Sequence, residues 1–186
     1  MARSPFMLAA VAASAVPGLE AISVAADPHA ADDVDAAIVA DRGGDYWTVQ
    51  VPRTRSAEAR QTADIVALTA LTPGARARLP FLVPTVAGHT AVRPTRGVVA
   101  SWAPGAPASL TSLGSIGQAA DGAASLGDAI GEAVAAIHGL PSTVVTEAGL
   151  PVSGPAEARR WATSLADRAT ATGLLPAAVQ TRWTAA

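Results

Sequence analysis

The stretch DAAIVADRGGDYWTVQV, residues 35–51, decides the fold. Two apolar runs flank Arg42-Gly43-Gly44-Asp45, where the consecutive glycines supply the positive φ that a tight hairpin turn requires. In the second run Trp47, Val49 and Val51 fall on one face of an extended chain, and Thr48 and Gln50 fall on the other. An antiparallel pair is therefore predicted, with strands over 35–40 and 46–51.

Upstream, LEAISVA (residues 19–25) reads as a further strand, and DPHAADDVD (residues 27–35) reads as a polar loop. Before them Ser4 is placed to cap a helix that has Pro5 at its first position and stops at Pro17-Gly18. A structural helix here should pack Leu8 and Val11 against the sheet. The competing reading is a secretory signal, because Arg3 precedes the apolar run Phe6 to Val16 and Ala13-Ser14-Ala15 mimics a cleavage site. The helix is preferred, since Arg3 is the lone charge of the leader and Pro17 would follow the cut directly; the chain is then expected in the cytoplasm. A secreted globular domain is the alternative. No stretch reaches the roughly 18 continuous apolar residues that a membrane span needs.

Downstream, Ser56 is the expected cap of a helix running to about Leu71, with Glu58 near its positive end, Ile65, Leu68 and Leu71 on one face, and Pro73-Gly74 as the stop. Phe81 to Gly88 and Val98 to Ala103 read as two more strands, followed by the breaker Pro104-Gly105-Ala106-Pro107. Leu126, Ile130, Val134 and Ile137 then recur at helical spacing and predict a buried helix ending at Gly139-Leu140-Pro141. Another helix is expected from Pro155 to about Thr172, stopping at Gly173, with Trp161 and Leu165 on its inner face. A last one should start at Pro176. Strands followed by helices alone indicate an α+β chain with a boundary near residue 104, giving domains over 1–103 and 104–186.

Composition narrows the chemistry. A net charge of −2 over 186 residues lacks the basic footprint of a nucleic-acid binder. Without cysteine there is no disulfide, thiolate metal site or cysteine nucleophile. All 13 basic residues are Arg, so no lysine ammonium is available for any step, and a lysine-bearing phosphate loop is impossible. His29, His89 and His138 show no metal-ligand spacing; His89 reads as an exposed residue at a strand end and His138 as a cation at a helix C-terminus. Asp32, Asp33 and Asp35 lack calcium-loop spacing and read as a solvated loop. No Gly-x-Ser-x-Gly elbow supports a hydrolase. No metal site is predicted.

Several segments, in order, resemble the aminoglycoside and macrolide phosphotransferase family, which shares the protein-kinase fold. Trp47-Thr48-Val49-Gln50-Val51-Pro52-Arg53 is similar to that family's third strand, and Ala57 to Leu71 to its αC helix. Leu79-Pro80-Phe81-Leu82-Val83-Pro84 resembles the approach to the fourth strand. Val98-Val99-Ala100-Ser101-Trp102-Ala103-Pro104-Gly105 resembles the fifth strand and hinge. LGDAIGEAVAAIHGLP (residues 126–141) looks like the first long helix of the C-lobe, and Glu147 to Val152 continues the likeness.

The resemblance implies a kinase-like N-lobe, with a five-stranded antiparallel sheet, one αC-type helix and a preceding N-terminal helix. The first helices of a truncated helical C-lobe would follow. It implies an ATP- or GTP-dependent O-phosphotransferase acting with magnesium on a small hydroxylated antibiotic or metabolite. In such enzymes a basic residue on the third strand holds phosphates and is oriented by an acid on αC. Those positions fall on Gln50 and Asp64, while the hinge at Ser101, Trp102 and Ala103 would meet the base. Gln50 cannot neutralise phosphate; Arg53 and Arg55 are the candidate substitutes, with a solvated loop as the preferred reading for both. The family's catalytic His-Gly-Asp and its later magnesium-binding Asp have no match, since no His-x-Asp occurs in these residues. No catalytic residue is therefore assigned. The expectation is an amino-terminal fragment that is inactive alone and binds nucleotide weakly or not at all, with room for self-association through the incomplete C-lobe. The alternative is a degenerate, non-catalytic binding or scaffold module of the same fold.

Overall fold

The computed structural model describes residues 2–105, 122–147, 149 and 154–171. The chain divides into two compact units, Met1–Leu150 and Pro151–Ala186. In the first, helix α1 (Pro5–Ala15) precedes strands β1 (Ala21–Ala26), β2 (Val34–Asp41) and β3 (Tyr46–Pro52). Helix α2 (Arg55–Ala70) and the single turn α3 (Pro73–Arg76) lead into β4 (Val86–Val92) and β5 (Thr95–Ser101). Helices α4 (Gly122–His138) and α5 (Ser142–Glu147) follow. The second unit is described through helix α6 (Pro155–Ala171). The predicted helix from Pro176 lies outside the described residues.

The five strands form one sheet in the order β1-β2-β3-β5-β4, antiparallel throughout. The Gly43-Gly44 hairpin forms as expected, and Gly44 takes the positive φ of 93° that a side chain would resist. Ser4 caps α1 by accepting from the Met7 amide, with Pro5 at the first position. Leu8, Val11 and Ala12 are buried against Ala37, Val39, Val49, Val51 and Val99, so α1 closes one face of the sheet. Two glycines let it come that close. A Cβ on Gly88 would sit 2.1 Å from the Ala15 carbonyl oxygen, and one on Gly97 would sit 2.6 Å from Val11.

Several expectations need correcting. The cap of α2 is Thr54, whose hydroxyl accepts from the Ala57 amide; Ser56 lies inside the helix and accepts from Arg60 instead. The last two strands sit at Val86–Val92 and Thr95–Ser101 rather than 81–88 and 98–103, joined by a turn at Arg93-Pro94. Apolar content misplaced them. Pro80 and Pro84 cannot donate to a ladder, and the segment before β4 is held by Arg76, which donates to the carbonyls of Val83 and Pro84. The same guanidinium donates to Leu68 and Leu71, satisfying carbonyls at the α2 C-terminus. His89 is accordingly within β4 and exposed, not at a strand end. Helix α4 is not buried along its described apolar stripe: Ile130, Val134 and Ile137 are each about half exposed. In α6 Trp161 is 67% exposed, so it does not lie on an inner face.

The acidic loop is solvated only in part: Asp32 is exposed, whereas Asp33 and Asp35 are paired with arginines. Asp35 is 3% exposed and accepts from Arg53 Nε at 2.7 Å and from Arg3 at 3.0 Å. Burial pushes its carboxyl up, but the hydrogen bonds from Arg3 and Arg53 outweigh that and hold it below the usual aspartate range. Asp33 takes both its oxygens to Arg60, at 2.6 and 2.8 Å, and that contact lowers it as well.

Candidate functional site

Strand pairing builds one wall of the site. Opposite the face covered by α1, Gln50 sits between Ala36 and Val98, and Thr48 sits between Ile38 and Ala100. Alternation along β3 therefore sends Val49 and Val51 into the core and Thr48 and Gln50 to the other side. Helix α2 crosses part of that second face. It is held there by Gln61, whose Nε2 donates to the Gln50 carbonyl oxygen at 3.2 Å. The rest stays open as a cleft of about 720 Å3 between the sheet, α2 and the chain leaving β5. That volume is of the size that holds small ligands.

The cleft has two ends of different character. Ile38, Val98 and Ala100 of the sheet face Ile65, Ala67 and Leu68 of α2 across an apolar slot. At the mouth of that slot run Ser101, Trp102 and Ala103. Ser101 N–H donates to the Thr85 carbonyl at 2.8 Å and Trp102 N–H to the Tyr46 carbonyl at 2.9 Å. Among the described residues the Ala103 N–H has no partner, so it is the backbone donor of this segment left for a ligand. The Trp102 ring leans on Tyr46, with centroids 5.6 Å apart.

The other end is polar, under the loop between β1 and β2. Asp27, His29, Gln50, Gln61 and Asp64 line both the cleft and an adjoining recess of about 200 Å3. Asp27 makes a tight local turn by accepting from the His29 amide at 2.9 Å. Among the described residues no arginine lines the larger cleft, and the one that lines the recess, Arg60, is taken by Asp33.

All five residues expected at the site, Gln50, Asp64, Ser101, Trp102 and Ala103, line this one cleft. The Gln50 and Asp64 side chains are both exposed, and no hydrogen bond joins them. Neither Arg53 nor Arg55 lines the cleft; Arg53 is spent on Asp35 and on the Asp32 carbonyl. Asp27, His29 and Gln61 were not foreseen. Gln61 could have been found by spacing, since it precedes Asp64 by one helical turn and so shares its face. Among the described residues no group of three acidic or histidine side chains could hold a metal ion.

The fit to a nucleotide is divided. The apolar slot and the Ala103 amide suit a flat heterocyclic base. The polar end does not suit a bare triphosphate, because it offers two carboxylates and, among the described residues, its one cation, Arg60, is already paired with Asp33.

No protein-family description and no curated protein sequence matches this chain. Solved structures do. The chain is similar to a type I macrolide 2'-phosphotransferase with a TM-score of 0.51 at 20% identity, covering 96% of this chain and 57% of that one. A macrolide 2'-phosphotransferase from Brachybacterium faecium, solved without ligand, gives 0.55 at 19% identity over 98% and 59% of the two chains. The GDP complex of aminoglycoside 2'-phosphotransferase-IIIa gives 0.59 at 15% identity over 98% and 57%. The fold is thus similar to that of the kinase-like antibiotic phosphotransferases, over a little more than half the length of those proteins.

Proposed function

We propose that this chain is the nucleotide-facing part of an ATP- or GTP-dependent small-molecule O-phosphotransferase, inactive by itself. The observation that carries the reading is the convergence of Gln50, Asp64 and the 101–103 segment on one cleft, with the Ala103 amide unpartnered among the described residues. Residues 1–103 act as the sheet lobe and residues from 104 begin the helical one. By the names of the similar structures, the acceptor is a hydroxylated antibiotic of macrolide or aminoglycoside type, or a related metabolite. Phosphoryl transfer depends on positioning and charge neutralisation, and these residues supply neither a catalytic Asp nor a phosphate-binding cation. Transfer therefore needs groups from outside this chain. The packed α1 supports a cytoplasmic protein over a secreted one, since removing residues 1–16 would strip Leu8 and Val11 from the core.

That no arginine among the described residues lines the cleft favours a second reading, a non-catalytic binding module of the same fold. Calorimetry with adenosine, ATP and GTP, beside a phosphate-transfer assay on both antibiotic classes, tests the proposal. Weak binding that is lost in Ala103→Pro, with no transfer, is expected. No binding by any of the three would sink the nucleotide reading, and robust turnover would sink the assignment of inactivity.

A further inference from the structure

Gln61 is 7% exposed, yet half of its amide is unused. Its Nε2 donates to the Gln50 carbonyl, an oxygen that only accepts, so the amide orientation is fixed and Oε1 is the atom left over. Among the described residues that Oε1 has no partner, although a buried acceptor without a donor is costly. The side chain lines both the cleft and its recess, so a ligand in the cleft can supply the missing donor. Around it stand Asp27 and Asp64, also acceptors, with His29 and Gln50. The Arg60 guanidinium is occupied by both oxygens of Asp33. This end of the cleft calls for hydroxyl or amine donors and repels anions.

We propose that the cleft selects an uncharged nucleoside over the corresponding triphosphate, with a ribose 2'- or 3'-hydroxyl donating to Gln61 Oε1. The proposal rests on the reading of the cleft as a nucleotide-type site and reverses its expected charge preference. The base occupies the apolar slot against Leu68 and Val98, with the Ala103 amide as its donor. The sugar turns toward Gln61 and Asp64. Without magnesium, adding phosphates to that end places them beside two carboxylates with no free cation among the described residues, which opposes binding.

Titration calorimetry on the full 186-residue chain decides the matter. Without magnesium, adenosine or guanosine should bind about tenfold or more tightly than ATP or GTP. On the same unmodified protein, the 2',3'-dideoxynucleoside should bind about fivefold or more weakly than its parent, since it lacks the donors for Oε1. Gln50→Lys places a cation at the polar end and should raise the affinity for ATP, relative to adenosine on the same variant, by about tenfold. Equal or tighter binding of the triphosphate to the unmodified chain would overturn the charge preference while leaving the nucleotide reading intact. So would an unchanged affinity for ATP relative to adenosine in Gln50→Lys. Equal binding of the dideoxynucleoside would overturn the role of Gln61. Failure of every ligand to bind would overturn this inference together with the reading beneath it.

Discussion

The two faces of the five-stranded sheet carry residues from the same strands and have opposite uses. One is closed by α1, with Leu8, Val11 and Ala12 packed on Val39, Val49 and Val99, and its side chains are small enough to let a helix lie nearly on the backbone. The other is crossed by α2, which touches it through Ala57 and Gln61 and leaves Ile38, Thr48, Gln50 and Val98 lining a cleft. The charged groups follow the same division. On the closed side Asp35 is buried and paired with two arginines, whereas on the open side Asp27 and Asp64 meet no arginine among the described residues. Stability is concentrated on the first face, and a ligand has access to the second.

Substitutions on the two faces should therefore differ in kind. The largest effect is expected from Leu8→Ala, which deletes a fully buried side chain from the centre of the closed face. It should cost about 3 kcal/mol in chemical denaturation, with any nucleoside affinity of the folded fraction unchanged. A loss below about 1 kcal/mol would mean that α1 is not part of the cooperative core.

Asp35→Asn comes next. It removes a buried carboxylate between Arg3 and Arg53 and should cost about 2 kcal/mol, the usual cost of breaking a buried pair being reduced because the Arg53 side chain is 40% exposed. The pH dependence has a definite sign. The folded carboxyl is held below its unfolded value, so its stabilisation is present above about pH 4 and is lost as pH falls through the lower, folded value. Acid unfolding should consequently be steeper in the unmodified chain than in Asp35→Asn, and parallel curves would contradict the pairing.

The smallest effect on stability belongs to the open face. Asp64→Ala removes an exposed side chain with no hydrogen-bond partner among the described residues and should change stability by less than about 0.5 kcal/mol. Its effect should appear in triphosphate binding, where loss of a repelling carboxylate raises ATP affinity about threefold. A substantial stability loss instead would show that Asp64 supports the fold.

Local chemistry was legible wherever a residue acts on its near neighbours. Ser4-Pro5 started a helix, Gly43-Gly44 turned a hairpin, and alternation placed Gln50 opposite Val49 before any coordinates were needed. The expected site residues also converge, because the order of segments carries the topology that joins them. Signals failed where the partner is distant. Phe81 to Pro84 looked like a strand because of its apolar content, but Arg76 takes the carbonyls that a ladder would have used. Asp35 looked solvated because Arg3 is 32 positions away in the chain and Arg53 is 18.

By itself the sequence determined the order of the main elements, the hairpin and the absence of any lysine. Those follow from steric and covalent properties that each residue brings with it. Only the tertiary structure decided that Arg53 and Arg60 are consumed by Asp35 and Asp33, that Ala103 keeps a free amide, and that Gln61 holds α2 on β3 with one oxygen unpaired. Hydrogen bonds and ion pairs saturate, so whether a donor is available to a ligand depends on what the folded chain has already brought beside it.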